Sequence, residues 1–124
     1  MSARRRLPAP GGATYSQAVV VEAGDARWIY VAGQTPAEPV PDDLRGQTER
    51  CFAQIETILA ECGAAFGDVV QITVYLTDLS RYGDFAEVRG SVFGSEPPSS
   101  AAVGVASLLG GALVEISAVA IAQP

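Results

Sequence analysis

The 124-residue chain has no histidine and no lysine. Without histidine there is no Ser-His-Asp triad, no imidazole acid or base and no imidazole metal ligand. Without lysine there is no Schiff base to a carbonyl substrate or to pyridoxal phosphate. No cofactor and no metal site is expected. Cysteine is scarce: Cys51 and Cys62 are the only two. Both fall on one predicted helix, about 16 Å of rise apart, too far to join as a disulfide. They lie on its apolar stripe, where they read as buried structural thiols. Basic residues are outnumbered, and the net charge of −6 argues against nucleic acid and anionic membranes as partners, because both are held by clustered cations. The same deficit speaks against ribonuclease activity. No apolar run approaches the roughly 18–20 residues that cross a bilayer. Arg4-Arg5-Arg6 runs into Leu-Pro-Ala-Pro-Gly-Gly rather than a signal-peptide core. The chain is read as cytoplasmic.

What is present suits one soluble domain, with 48% hydrophobic and 18% charged residues. Residues 1–13, rich in Arg, Pro and Gly without a period, are expected as a loosely held, flexible arm before a single domain over 14–124. Tyr15 to Glu22 and Trp28 to Gly33 are β-prone runs joined by Ala23-Gly24-Asp25-Ala26, a predicted hairpin. Gln34 to Asp43, with three prolines, is a loop. From Asp43 to Gly63, Leu44, Cys51, Ile55, Ile58, Leu59 and Cys62 recur at helical spacing, with Phe52 widening the buried face. Asp42 and Asp43 suit the helix start and Gly63 its end. Val70, Ile72, Val74 and Leu76 alternate with Gln71, Thr73 and Tyr75, which predicts a half-buried strand. Tyr82, Phe85, Val88 and Val92 mark a second helix over Tyr82 to Phe93.

After Pro97-Pro98, two more strands joined at Gly110-Gly111 are expected as a closing hairpin. The order is β-β-α-β-α-β-β, an α+β fold of one sheet with both helices on one face. Ala101, Val103 and Val105 alternate with Ala102, Gly104 and Ala106, so neither face of that strand is polar. The last strand is also mostly apolar on both faces. Strands of this kind are usually covered on both sides, and two helices cover only one, which points to an oligomer; a monomer with a shorter, more curved sheet is the alternative. Glu115 interrupts the apolar pattern. A carboxylate there needs water, a partner or a chemical role.

Several strings in this order resemble the Rid (YjgF-like) family of reactive-intermediate deaminases. They are Tyr15-Ser-Gln-Ala-Val, Val31-Ala-Gly-Gln-Thr-Pro36, Asp68-Val-Val-Gln-Ile-Thr-Val-Tyr-Leu-Thr-Asp78, Asp84-Phe-Ala-Glu-Val and Val114-Glu-Ile-Ser-Ala-Val-Ala. The resemblance implies a chorismate-mutase-like fold and a homotrimer around a central barrel. It also implies pockets between subunits in which a small imine or enamine is hydrolysed to a keto acid and ammonia.

The resemblance makes Glu115 and Tyr15 the catalytic candidates, and Gly33 the glycine whose backbone borders the pocket. Deaminating members hold the substrate carboxylate with an Arg in a Pro-x-Arg-Ser/Thr string. Here the string is Pro98-Ser-Ser-Ala, and Ser100 stands where that Arg is expected. Arg89, at a helix position that is often Asn in deaminases, offers a guanidinium from another direction. The planar fork of Arg suits a carboxylate. Each residue also has a plainer reading: Arg89 as a solvated charge, Tyr15 as a packing residue, Ser100 as a tolerated small side chain. The resemblance thus implies a Rid-like hydrolase with a variant substrate, or a non-catalytic trimeric protein that binds a small metabolite.

Overall fold

Apolar residues at alternate strand positions and at helical spacing meet in a single core. The computed structural model describes residues 2–124. Its elements are β1 (Ser2–Pro8), β2 (Ser16–Ala23), β3 (Ala26–Gln34), α1 (Leu44–Glu61), β4 (Val69–Leu76), α2 (Tyr82–Phe93), β5 (Ser99–Gly104) and β6 (Val114–Ala122). The strands form one sheet in the order β1-β2-β3-β6-β4-β5. Only β4 and β5 run parallel; the other neighbours are antiparallel. This is the expected α+β architecture, with one additional strand at its start.

Helix α1 begins where Asp43 Oδ1 accepts the Gly46 amide at 2.9 Å, the side-chain cap that relieves an unpaired N-terminal N–H. It ends at Gly63, whose φ of +76° is a left-handed conformation that a glycine adopts without strain. Cys51, Phe52, Ile55, Ile58 and Leu59 of α1 and Phe85 and Val88 of α2 pack on one sheet face. That face presents Val20, Ile29, Ile72, Val74, Val114, Ile116 and Ala118. Each fully buried Ile, Leu or Phe contributes about 1.5–3 kcal/mol of apolar transfer. Two buried residues of α1 are polar: Thr48, whose hydroxyl donates to Leu44 O at 2.8 Å, and Gln47. Gln47 donates to Pro41 O and accepts the Leu113 amide, both at 2.9 Å, so its burial is matched by two hydrogen bonds.

Three expectations are corrected. The N-terminal segment is not a loose arm through Pro8. It pairs from Ser2↔Ala23 to Pro8↔Ser16 as the outer strand, held by backbone hydrogen bonds that need no side-chain period. Its three exposed arginines suit an edge, where charge discourages further pairing. The closing segment is not a hairpin: β4 lies between β5 and β6 and pairs with both. The link from β4 through α2 to β5 is a parallel crossover, and the Gly110-Gly111 link spans a strand rather than a tight turn. Finally, a register shift between Val69 and Gln71 buries Val69 and leaves Val70 45% exposed, reversing the side predicted for Val70.

Candidate functional site

Glu115 is the second residue of β6, half-buried between Val114 and Ile116, which point into the core. Its neighbour on β4 is Tyr75. On the other side β3 bulges: Val31 pairs with Ala118 and Gln34 with Ile116, so Ala32 and Gly33 oppose Ser117 alone. The bulge lays the Gly33 backbone against the Glu115 side chain. A Cβ on Gly33 would lie 2.9 Å from Cδ and 3.2 Å from Cγ of Glu115. Only glycine lets β3 pass the carboxylate this closely.

Tyr15, just before β2, is 60% exposed. It lines a cavity of ≈ 230 Å³ with Gly33, Gln17, Gln34 and Gln54. Gln54 belongs to α1 and fixes the loop that follows Gly33. Its Nε2 donates to Thr35 O at 3.0 Å and to Gln34 Oε1 at 3.2 Å, and its Oε1 accepts the Ala37 amide at 2.8 Å. This residue was not singled out from the sequence. Its one signal is its place directly before Ile55 on the apolar stripe.

The other two candidates meet at the far edge of the sheet. Arg89 Nη1, from α2, donates to Ser100 Oγ on β5 at 3.0 Å. The guanidinium also lies over the rings of Phe85 and Tyr82, at 5.3 and 5.4 Å. Stacking and the hydrogen bond together hold its plane. It forms no salt bridge among the described residues.

One chain does not bring these two groups together. Ser100 pairs with Ile72, a core residue, whereas Glu115 pairs with Tyr75 three positions along β4. An odd separation along a strand means opposite faces. Glu115 and Ser100 therefore sit on opposite sides of the sheet, two strand spacings or roughly 10 Å apart across it. Beneath Glu115, burial pushes the Cys51 thiol up from its ordinary value of 9.0 to about 12, and the negative charge of Glu115 adds to the rise. Cys51 is thus a neutral packing group at physiological pH. Both cysteines are free and buried. Among the described residues no three Cys, Asp or Glu side chains gather as a metal site, and no helix is long and apolar enough to cross a membrane.

The fold agrees with the comparison to known proteins. The family model described as Endoribonuclease L-PSP matches residues 7–122. The chain belongs to this family, also called Rid or YjgF. Among Rid-family relatives, a RutC family protein of Pyrococcus abyssi is 40% identical over 120 residues, covering 93% of this chain and 91% of that one. The 2-iminobutanoate/2-iminopropanoate deaminase of Rattus norvegicus is 36% identical over 124 residues, covering 96% and 87%. A crystal structure of a YjgF/YER057c/UK114 family member from Mycobacterium tuberculosis superposes with a TM-score of 0.83 at 34% identity, covering 97% of this chain and 100% of that one.

Proposed function

We propose that this Rid-family protein hydrolyses a small imine or enamine in a pocket built between subunits of a homotrimer. Arg89 acts there as the anion-binding group that Ser100 no longer supplies. The observation that carries the reading is the 3.0 Å hydrogen bond from Arg89 to Ser100. It sets a stacked guanidinium, free of any salt bridge among the described residues, beside the position where a deaminase of this family is expected to carry its Arg. The placement of Glu115 and Ser100 on opposite faces of one sheet supports a site completed by a second copy. So does the β5 strand, all six of whose residues are exposed although none is charged.

In this reading the substrate carboxylate lies against Arg89, and its C=N carbon approaches Glu115. Glu115 takes a proton from water as the oxygen adds to that carbon. The tetrahedral carbinolamine receives that proton on nitrogen and releases ammonia as its hydroxyl loses a proton to Glu115, leaving the keto acid. Tyr15 contributes a hydroxyl beside Gly33, and an enamine first takes a proton on carbon to become the imine. Glu115 is the proton-transfer group of both steps.

Ammonia release from 2-aminoacrylate generated in situ tests the activity. Wild-type acceleration that disappears in Glu115→Gln supports the hydrolase. Absence of turnover in the wild type, with ligand-induced thermal stabilisation retained, replaces it with the metabolite-binding reading. Sedimentation equilibrium tests the trimer.

A further inference from the structure

Two bulges lie side by side at one end of the sheet. One is the Ala32–Gly33 bulge of β3. The other is in β2: Leu7 pairs with Ala18 and Pro8 with Ser16, so Gln17 is an extra residue without a ladder partner. The β2–β3 ladder also stops at Ala18↔Val31, which leaves Gln17 unpaired on that side too. A bulge re-aims the side chain it carries. Gln17 lines both the ≈ 230 Å³ cavity of Tyr15 and Gly33 and a second, of ≈ 270 Å³, that reaches Thr57 and Ile58. Because the two cavities share Pro10, Gln17, Gln34, Ala37 and Gln54, they form one groove.

The groove has polar groups but no charged side chain in its lining. Its carboxamides differ in what they have left to offer. Gln54 is committed to Thr35, Ala37 and Gln34, and Gln34 donates to Ala32 O at 3.2 Å. Gln17 makes no side-chain hydrogen bond among the described residues and is only half-buried.

We propose that Gln17 selects the side chain of the substrate, binding a neutral carboxamide in the groove beside Tyr15 and Gly33. This rests on the Rid-type reading for the position of the reacting carbon. A ligand carboxamide answers the free amide of Gln17 with one donor and one acceptor in a plane. An alkyl group of the same shape forms no hydrogen bond with Gln17. A charged side chain meets no countercharge and loses hydration.

Calorimetric titration of the full-length protein with three stable carboxylates tests this without turnover. They are succinamate, its alkyl isostere 4-methylpentanoate, and succinate. Succinamate is expected to bind roughly tenfold more tightly than 4-methylpentanoate, and also more tightly than succinate. Gln17→Leu, which keeps the bulk of the side chain, is expected to erase that preference while 4-methylpentanoate binds as before. Equal affinities in the wild type, no measurable binding of succinamate, or a preference that persists in Gln17→Leu would each overturn the proposal. A carboxamide preference without ammonia release removes the hydrolase reading alone; turnover without the preference removes this one alone.

Discussion

The guanidinium of Arg89 donates to the hydroxyl of Ser100 at 3.0 Å, so a helix residue brings positive charge to a strand position that carries none. Arg89→Ala is expected to raise KM for a carboxylate substrate by at least tenfold, as loss of a charged hydrogen bond of about 1.5–3 kcal/mol implies, with little change in thermal stability. Steady-state kinetics and a melting curve check this together, and unchanged kinetics would remove Arg89 from binding. Ser100→Ala is expected to have a smaller effect on KM, because the stacking on Phe85 and Tyr82 remains.

Gly33→Ala is expected to lower turnover sharply with a smaller loss of stability, because the atoms its methyl meets belong to the Glu115 side chain and not to backbone. The new methyl would stand 2.9 Å from Glu115 Cδ, so either the carboxylate turns away or the bulge shifts. Urea unfolding and kcat measured on the same preparation separate a displaced Glu115 from simple unfolding, which would lower both in proportion.

Glu115→Gln keeps shape and removes proton transfer. The variant is expected to lose at least a hundredfold in kcat, within the usual range for one acid–base group, while binding a carboxylate inhibitor as before. A titration showing equally weakened binding would move Glu115 from chemistry to substrate positioning.

Cys51 is expected to make stability fall at alkaline pH. Its thiol is raised in the fold from 9.0 to about 12, so between those values the unfolded chain loses a proton that the folded chain keeps. The stabilisation is full below pH 9 and is lost as pH rises toward 12, at a limiting slope on the order of 1.4 kcal/mol per pH unit. Thermal melts from pH 7 to 11 are expected to show a decline that Cys51→Ala makes shallower. Parallel curves would show that the decline comes from other groups.

The elements with a strong local period were legible in the sequence. Helix α2 runs from Tyr82 to Phe93 as the spacing of Tyr82, Phe85, Val88 and Val92 implies, and α1 is capped by Asp43 and closed at Gly63. What failed was non-local. Nothing near Gly110-Gly111 announces that β4 will insert between the strands on either side of it. The outer strand β1 is held by backbone pairing, which leaves no trace in composition. At the site, the resemblance pointed to Glu115 and Gly33, and the structure brings them into contact. Gln54 and Gln17 went unnoticed for different reasons. One acts through hydrogen bonds to a loop, and the other sits in a bulge whose register shift no residue pattern encodes.

Strand β5 leaves its side chains freer to change than those of β6. Within the chain it is an edge strand paired to β4, and all six of its residues are exposed. A new side chain at Ser100 therefore costs the core nothing, and Arg89 can be released or re-engaged by a single substitution. Along β6, by contrast, every second residue is buried, so changes around Glu115 are paid for in folding stability. Under the proposed function, drift in the chain is thus channelled: the group that would grip the ligand can be exchanged freely, while the group that would move protons is tied to the survival of the fold.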